Sequence, residues 1–318
     1  MSINSSTSLS SQAQMELQRG NWWERNKLKI VPYVYISPFF ILFAIFLLWP
    51  VIDSFILSFH REQGISTPEF IGLENYVNLT KDPRFKQSVV NTTGYALGSV
   101  FLLSPLAFIL AIVVNSRLVP WLNIKSFYRL SFFVPLLTSA VVASLMFGIL
   151  YDYQSGLINS FLVNLFGEGA RVGWVRDPDV ALFSIILLLI WKFTGLNSLY
   201  FLAGLQNVPR ELEEAAAIDG ANWWTTLTKV TVPMMKPVIL FVAVTAINGS
   251  YQLFAEPYLL TGGGPRDRTL TMVQYLYNTG FSYFNLGYAA AIGYTLVVII
   301  VVLAVLNLRF FGAFREDN

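Results

Sequence analysis

The sequence predicts an all-α integral membrane protein with six transmembrane helices and both termini on the cytoplasmic side. Three observations carry that reading. The 318 residues are 55% hydrophobic and only 13% charged, where soluble domains carry about 25% charged residues. Their mean hydropathy is +0.56, and a soluble fold would run short of polar side chains to cover its surface. Six apolar stretches, 32–59, 89–115, 127–151, 180–206, 237–260 and 286–310, each reach the roughly 20 residues that a helix needs to cross a bilayer core. Transmembrane strands would instead alternate polar and apolar positions over about ten residues. These runs do not alternate.

The elements follow in order. The tail, residues 1–30, opens with a Ser/Gln-rich stretch that cannot bury a core. It ends in Trp22, Trp23, Arg25, Lys27 and Lys29, residue types suited to a membrane surface. The first apolar run is far longer than the roughly 7–15 residues of a secretory signal core, so it is expected to stay as a span. With the N-terminus inside, the inner segments hold twelve Lys and Arg and the outer segments eight, the asymmetry that cytoplasmic loops show. The outer segments 60–88 and 152–179 are long. So is the inner loop 207–236, and residues 313–318 form a cytoplasmic C-terminal end.

Whole classes of chemistry fall away. With no Cys there is no disulfide framework or thiolate metal site. A single histidine, His60, leaves no multi-histidine metal site, and no G-x-S-x-G elbow occurs. A net charge of +2 without a basic block gives nucleic acid nothing to bind. Transport, sensing and scaffolding remain.

The loop between spans four and five carries the most specific signal. Pro209 suits the start of a helix, and Glu211, Glu213 and Glu214 follow where the helix dipole favours acids. Ala215, Ala216 and Ala217 are strong helix formers with little bulk. Asp219-Gly220 is a turn pair, and a second short helix is expected from about Ala221, stopping before Pro233. A small-faced helix and a tight bend make a knob for another protein's cleft. The same segment also fits an ordinary interfacial loop. A DNA-binding helix-turn-helix fails on charge, because Arg210, Lys229 and Lys236 face an acidic majority.

Glu214-Ala215-Ala216, three residues, Gly220, nine residues and Val230-x-Val232-Pro233 resemble the EAA loop of binding-protein-dependent ABC importer permeases, whose pattern is E-A-A-x3-G-x9-I-x-L-P. Val replaces Ile at 230 and Leu at 232, keeping the apolar character. Three further segments are similar to carbohydrate permeases of the maltose type. They are Phe70 to Tyr76 followed by Asn91-Thr92, Ala203 to Pro209, and Leu260-Thr261-Gly262-Gly263-Gly264-Pro265. The likeness runs from about residue 31 to 312, the membrane-spanning domain.

The resemblance implies a type I ABC importer permease fold in a bacterial or archaeal cytoplasmic membrane. It implies an ATP-driven importer for a sugar, oligosaccharide or polyol. The partners implied are a second related permease, two ATPase subunits and an extracytoplasmic solute-binding protein. Glu214, Ala215, Ala216 and Gly220 are the ATPase-coupling residues by position. The subunit itself would be no enzyme and would hold no cofactor, ATP and Mg being bound by the ATPase. Consistently, no G-x-x-x-x-G-K-[ST] phosphate loop occurs.

Charges within spans point to function by default, and Asp53, Lys192 and Glu256 are the candidates. Asp53 can reach the outer interface. Lys192 can snorkel or pair with Glu256. In span five, Thr245, Asn248, Gly249, Gln252 and Glu256 are expected on one helical face. They suit a hydroxyl-rich ligand or, as plainly, helix–helix contact. Trp191 and Tyr251 offer aromatic walls, and Gly94-x3-Gly98 and Gly287-x3-Ala291 are small-residue packing faces. The alternatives are a permease for a non-sugar solute such as glycerol phosphate, with Lys192 on an anionic group, and an ion-gradient-driven secondary transporter. The latter calls for related halves with broken helices, and no convincing repeat is present.

Overall fold

The computed structural model describes residues 22–64, 67–115 and 134–312. Most of the expected tail, the start of the third span and the C-terminal end lie outside the described residues. Two compact units divide after Ile56. The first is helical throughout its described part: α1 (Trp22–Phe43), a π-turn (Ala44–Leu48) and α2 (Trp49–Leu57), whose last residue opens the second unit.

The second unit begins with a short antiparallel hairpin, β1 (His60–Arg61) on β2 (Glu69–Phe70). Then come α3 (Glu74–Lys81), α4 (Pro83–Gly98), a π-turn (Ser99–Leu103) and α5 (Ser104–Asn115). After α6 (Ala140–Leu150) and α7 (Leu157–Phe166), α8 (Ala181–Gln206) leads to α9 (Arg210–Ile218). The chain ends with α10 (Trp223–Thr226), a π-turn (Leu227–Thr231), α11 (Val232–Tyr251), α12 (Ala255–Thr261), α13 (Met272–Tyr277), a π-turn (Asn278–Ser282) and α14 (Leu286–Gly312). Among the described residues, five helical runs are long and apolar enough to cross a membrane: Asn26–Leu57, Pro83–Asn115, Ala181–Gln206, Trp223–Tyr251 and Leu286–Asn307.

Proline explains the local form of these runs. Pro50, Pro105 and Pro233 each lie two residues beyond a π-turn, those ending at Leu48, Leu103 and Thr231. A proline ring crowds the carbonyl four residues before it and donates no hydrogen bond there. A widened turn accommodates both defects without ending the helix. The expectation that the second loop helix stops before Pro233 is therefore corrected: Trp223–Tyr251 is one continuous run.

Two other runs are interrupted instead. The stretch 237–260 breaks after Tyr251, and Ala255–Thr261 is a separate helix. Pro257 sits in the first turn of α12, where its missing N–H costs nothing, whereas in a continuous helix it would clash with the carbonyl of Leu253. In the third stretch, Ser139 is extended and its Oγ accepts from the Val142 N–H at 3.3 Å. It caps α6 and separates it from the helical turn at 134–137.

Three apolar clusters hold the second unit. One joins α4 and α14 through Phe85, Leu270, Met272 and Ile292; another joins α6 and α8 through Phe147, Ile185 and Leu188. The third joins α5, α8 and α11 through Ala107, Phe201, Met235 and Val242. Gly98 allows the close approach of α4 to α8, since a Cβ there would sit 2.7 Å from Cδ1 of Ile186. The Gly94-x3-Gly98 face is thus a helix contact.

Candidate translocation path and coupling surface

The loop after α8 folds as a capped knob. Pro209 is extended, Arg210 to Ile218 form α9, and Glu211 and Glu213 occupy its first turn. The helix ends in a Schellman motif, in which the Ala221 N–H donates to the Ala216 carbonyl at 2.9 Å and the Gly220 N–H to the Ala217 carbonyl at 3.1 Å. That motif needs a left-handed residue, and Gly220 has φ +80. Asn222 then caps α10, its Oδ1 accepting from the Thr225 N–H at 2.8 Å. Glu214, Ala215 and Gly220 are exposed and Ala216 is half-buried. Ile218 at 87%, Trp223 at 66% and Trp224 at 64% stand out among polar neighbours, an apolar surface of the sort that protein partners cover. Beside α9 lies a cleft of ≈ 530 Å³ reached by Ile112, Leu205, Arg210, Glu214 and Trp223.

Within the helices, Lys192 of α8 donates to Glu256 Oε1 of α12 at 2.6 Å, both residues being buried. The structure brings these two together but takes Glu256 off the helix that bears Thr245, Asn248 and Gly249, because α11 ends at Tyr251 and Gln252 is its cap. The expected single face of five residues is corrected to that extent. The other four remain exposed. Gln252 Nε2 donates to Asn248 Oδ1 at 2.7 Å, and the Thr245 hydroxyl donates to the Phe241 carbonyl at 2.8 Å. A cleft of ≈ 200 Å³ between the Ser99–Leu103 turn, α8 and α11 is lined by Ser99, Asn197, Tyr200, Thr245, Gly249 and Ser250 among apolar neighbours. Among the described residues, none that lines it is charged. Asn248 faces elsewhere, into a smaller hollow of ≈ 80 Å³ shared with Asn307 of α14. Trp191 packs on Phe147, their ring centroids 5.5 Å apart, and Tyr251 bonds Thr93 at 3.0 Å, so neither is an open wall.

Residues 103–314 match the family model described as "Binding-protein-dependent transport system inner membrane component". The chain belongs to this family. The arabinooligosaccharides transport system permease protein AraP of Bacillus subtilis (strain 168) is 39% identical over 292 residues, 91% of each chain. The lactose transport system permease protein LacF of Rhizobium radiobacter is 36% identical, across 89% of this chain and 94% of its own. A solved bacterial ABC transporter involved in the import of the acidic polysaccharide alginate shares the fold, with a TM-score of 0.79 at 23% identity, over 93% of this chain and 99% of that one. The protein is thus a transport permease of the type I importer fold and not an enzyme.

The end of the permease opposite the knob is held by polar contacts that sequence reasoning missed. Asp82 caps α4, accepting from the Arg84 N–H at 2.9 Å, and its other oxygen accepts from the hydroxyls of Tyr275 and Tyr288. Burial pushes the Asp82 carboxyl up, but these hydrogen bonds outweigh it and hold the group below its usual range. The Tyr275 phenol is pushed up, first by burial and then by its bond to Asp82. Arg84 grips Asp267 with two bonds of 2.9 Å. Asn91 donates to the carbonyls of Asp267 and Leu270 at 2.7 and 2.9 Å, and Thr92 accepts from the Met272 N–H at 3.1 Å. Asn91-Thr92, noted in the sequence only as a family-like pair, clamps the segment that follows Gly262-Gly263-Gly264-Pro265. The cleft liners Ser99, Asn197 and Ser250 were readable as polar residues inside apolar runs.

Proposed function

We propose that this permease forms half of the pathway of an ATP-driven importer for a neutral sugar, oligosaccharide or polyol. A second related permease supplies the other half, a solute-binding protein delivers the substrate outside, and two ATPase subunits bind ATP and Mg inside. The permease crosses a bacterial or archaeal cytoplasmic membrane six times, N-in and C-in, so that the α9 knob is cytoplasmic. Glu214, Ala215, Ala216 and Gly220 are the coupling residues: the alanines allow close approach, the carboxylate meets basic groups, and the glycine fixes the bend. Thr245 and Gly249 line the substrate path with Asn248 and Gln252 beside it, while Lys192 and Glu256 hold α8 to α12 at its edge.

The observation that carries a neutral substrate is the pairing of Lys192 with Glu256 at 2.6 Å. It occupies the ammonium that an anionic solute such as glycerol phosphate would need, beside a cleft lined by uncharged residues. AraP and LacF are named for an arabinooligosaccharide and a lactose system, which supports the same class. The test is affinity purification from the native membrane, with ATPase activity measured against a panel of oligosaccharides and the cell's solute-binding proteins. An ATPase is expected to co-purify, to turn over faster with one sugar, and to lose that stimulation in Glu214→Lys. A chain that emerges alone, or stimulation only by anionic solutes, contradicts the proposal.

A further inference from the structure

The break between α11 and α12 builds a feature that the translocation path as drawn leaves unused. Released from α11, Phe254 stacks on Tyr258 one turn later, ring centroids 5.0 Å apart and planes 18° from parallel. Tyr277 and Phe281 form a second pair at the same spacing in sequence, with centroids 5.3 Å apart. The pairs meet at Tyr277, whose ring lies 5.2 Å from Phe254 and 5.6 Å from Tyr258. The result is an unbroken series of four rings from two separate segments, 254–258 and 277–281. It is not core: Tyr258 is 38% exposed and Phe281 64%. None of its four rings is among the residues of the three apolar clusters.

Position gives the series a direction. Phe254 directly follows Leu253, a lining residue of the uncharged cleft, and Gln252, an exposed amide. Phe281 is the terminal ring at the other end of the series, shortly before α14 begins. The π-face of an aromatic ring is electron-rich, and the C–H groups on the flat face of a sugar ring are its complement. Tyrosine adds a hydroxyl at the rim for the sugar's own hydroxyls.

We infer that Phe281, Tyr277, Phe254 and Tyr258 form a stacking track that passes the rings of an oligosaccharide to the cleft. This rests on the carbohydrate reading above and adds a length preference to it: a monosaccharide uses one ring at a time, a longer chain several at once.

The test uses the assembled importer with its binding protein and measures uptake of labelled sugars of one to five rings below saturation. Tyr277→Leu and Phe281→Leu are expected to cut uptake of the longer sugars by about three- to tenfold, leaving the single-ring sugar, basal ATP hydrolysis and subunit recovery unchanged. Tyr277→Phe and Phe281→Trp, which keep the ring, are expected to match the wild type. Equal loss at every length, or failure of the ring-keeping variants to transport, overturns the track. Loss of subunit recovery in the Leu variants overturns it too and makes the rings a surface for the second permease. If the wild type itself takes up no sugar while its ATPase responds to another solute, the carbohydrate reading has failed instead.

Discussion

The two ends of the permease's long helices are built on opposite plans. At the α3 and α13 end, the segment from Asp267 to Met272 is tied to α4 by Arg84, Asn91 and Thr92, and Asp82 collects two phenols. At the other end, among the described residues, α9 is held by its own Schellman motif and by one long side-chain hydrogen bond, Thr231 to Glu213 at 3.5 Å. The first plan spends polar side chains on fixing backbone within the chain. The second leaves Glu214, Ala215, Ile218 and Trp223 exposed among the described residues. A surface left open in this way is of the sort that protein partners cover, whereas the clamped end fixes the helices at the opposite side.

Four perturbations sharpen or break that contrast. Lys192→Met should have the largest effect on stability, about 3–5 kcal/mol, because it leaves Glu256 charged and buried without its partner. Combining it with Glu256→Gln should recover most of that loss, and thermal unfolding of the purified complex measures both. Gly220→Ala should cost about 1 kcal/mol, since φ +80 is strained for alanine although no atom lies within 4 Å of the new Cβ. Its signature is weakened ATPase stimulation with little change in melting temperature of the clamped end. Arg84→Ala should do the reverse at a cost of at most about 1 kcal/mol, as the pair with Asp267 is partly exposed. Hydrogen exchange should rise across 267–272 while ATPase coupling is retained.

The smallest effect concerns acid. Asp82 binds its proton less tightly in the folded permease than in the unfolded chain, where its usual value is 3.8. Its contribution is therefore complete above that value and is lost as the pH falls through the lower, folded-state one. Asp82→Asn should lower the melting temperature slightly at neutral pH, where the carboxylate's contribution is complete, and flatten the decline below about pH 4, so that the two proteins converge in acid.

The shape of the α9 knob was legible because its information is local. A proline, three acids, three alanines and an Asp-Gly pair specify the helix, its end and its small face within a dozen residues. The clamped end was not, since the contact between Asn91 and the Asp267 carbonyl spans 176 positions and no periodicity announces it. Pro233 and Pro257 mark the boundary between the two cases. Both were visible, but whether proline is absorbed by a π-turn or ends a helix depends on what surrounds it. The Lys192–Glu256 pair was readable as a possibility from cost alone, because two opposite charges in apolar runs gain most by meeting.

The proposed function requires α9 to be the surface that an ATPase subunit grips. The chain contains no cysteine, so Ala215→Cys provides a single chemical handle without further engineering. Membranes holding the assembled importer would be treated with a short thiol-to-amine cross-linker, with and without ATP. One adduct joining the permease to an ATPase subunit is expected, absent in Arg84→Cys at the clamped end. Cross-linking to the ATPase from Arg84→Cys but not from Ala215→Cys would contradict it.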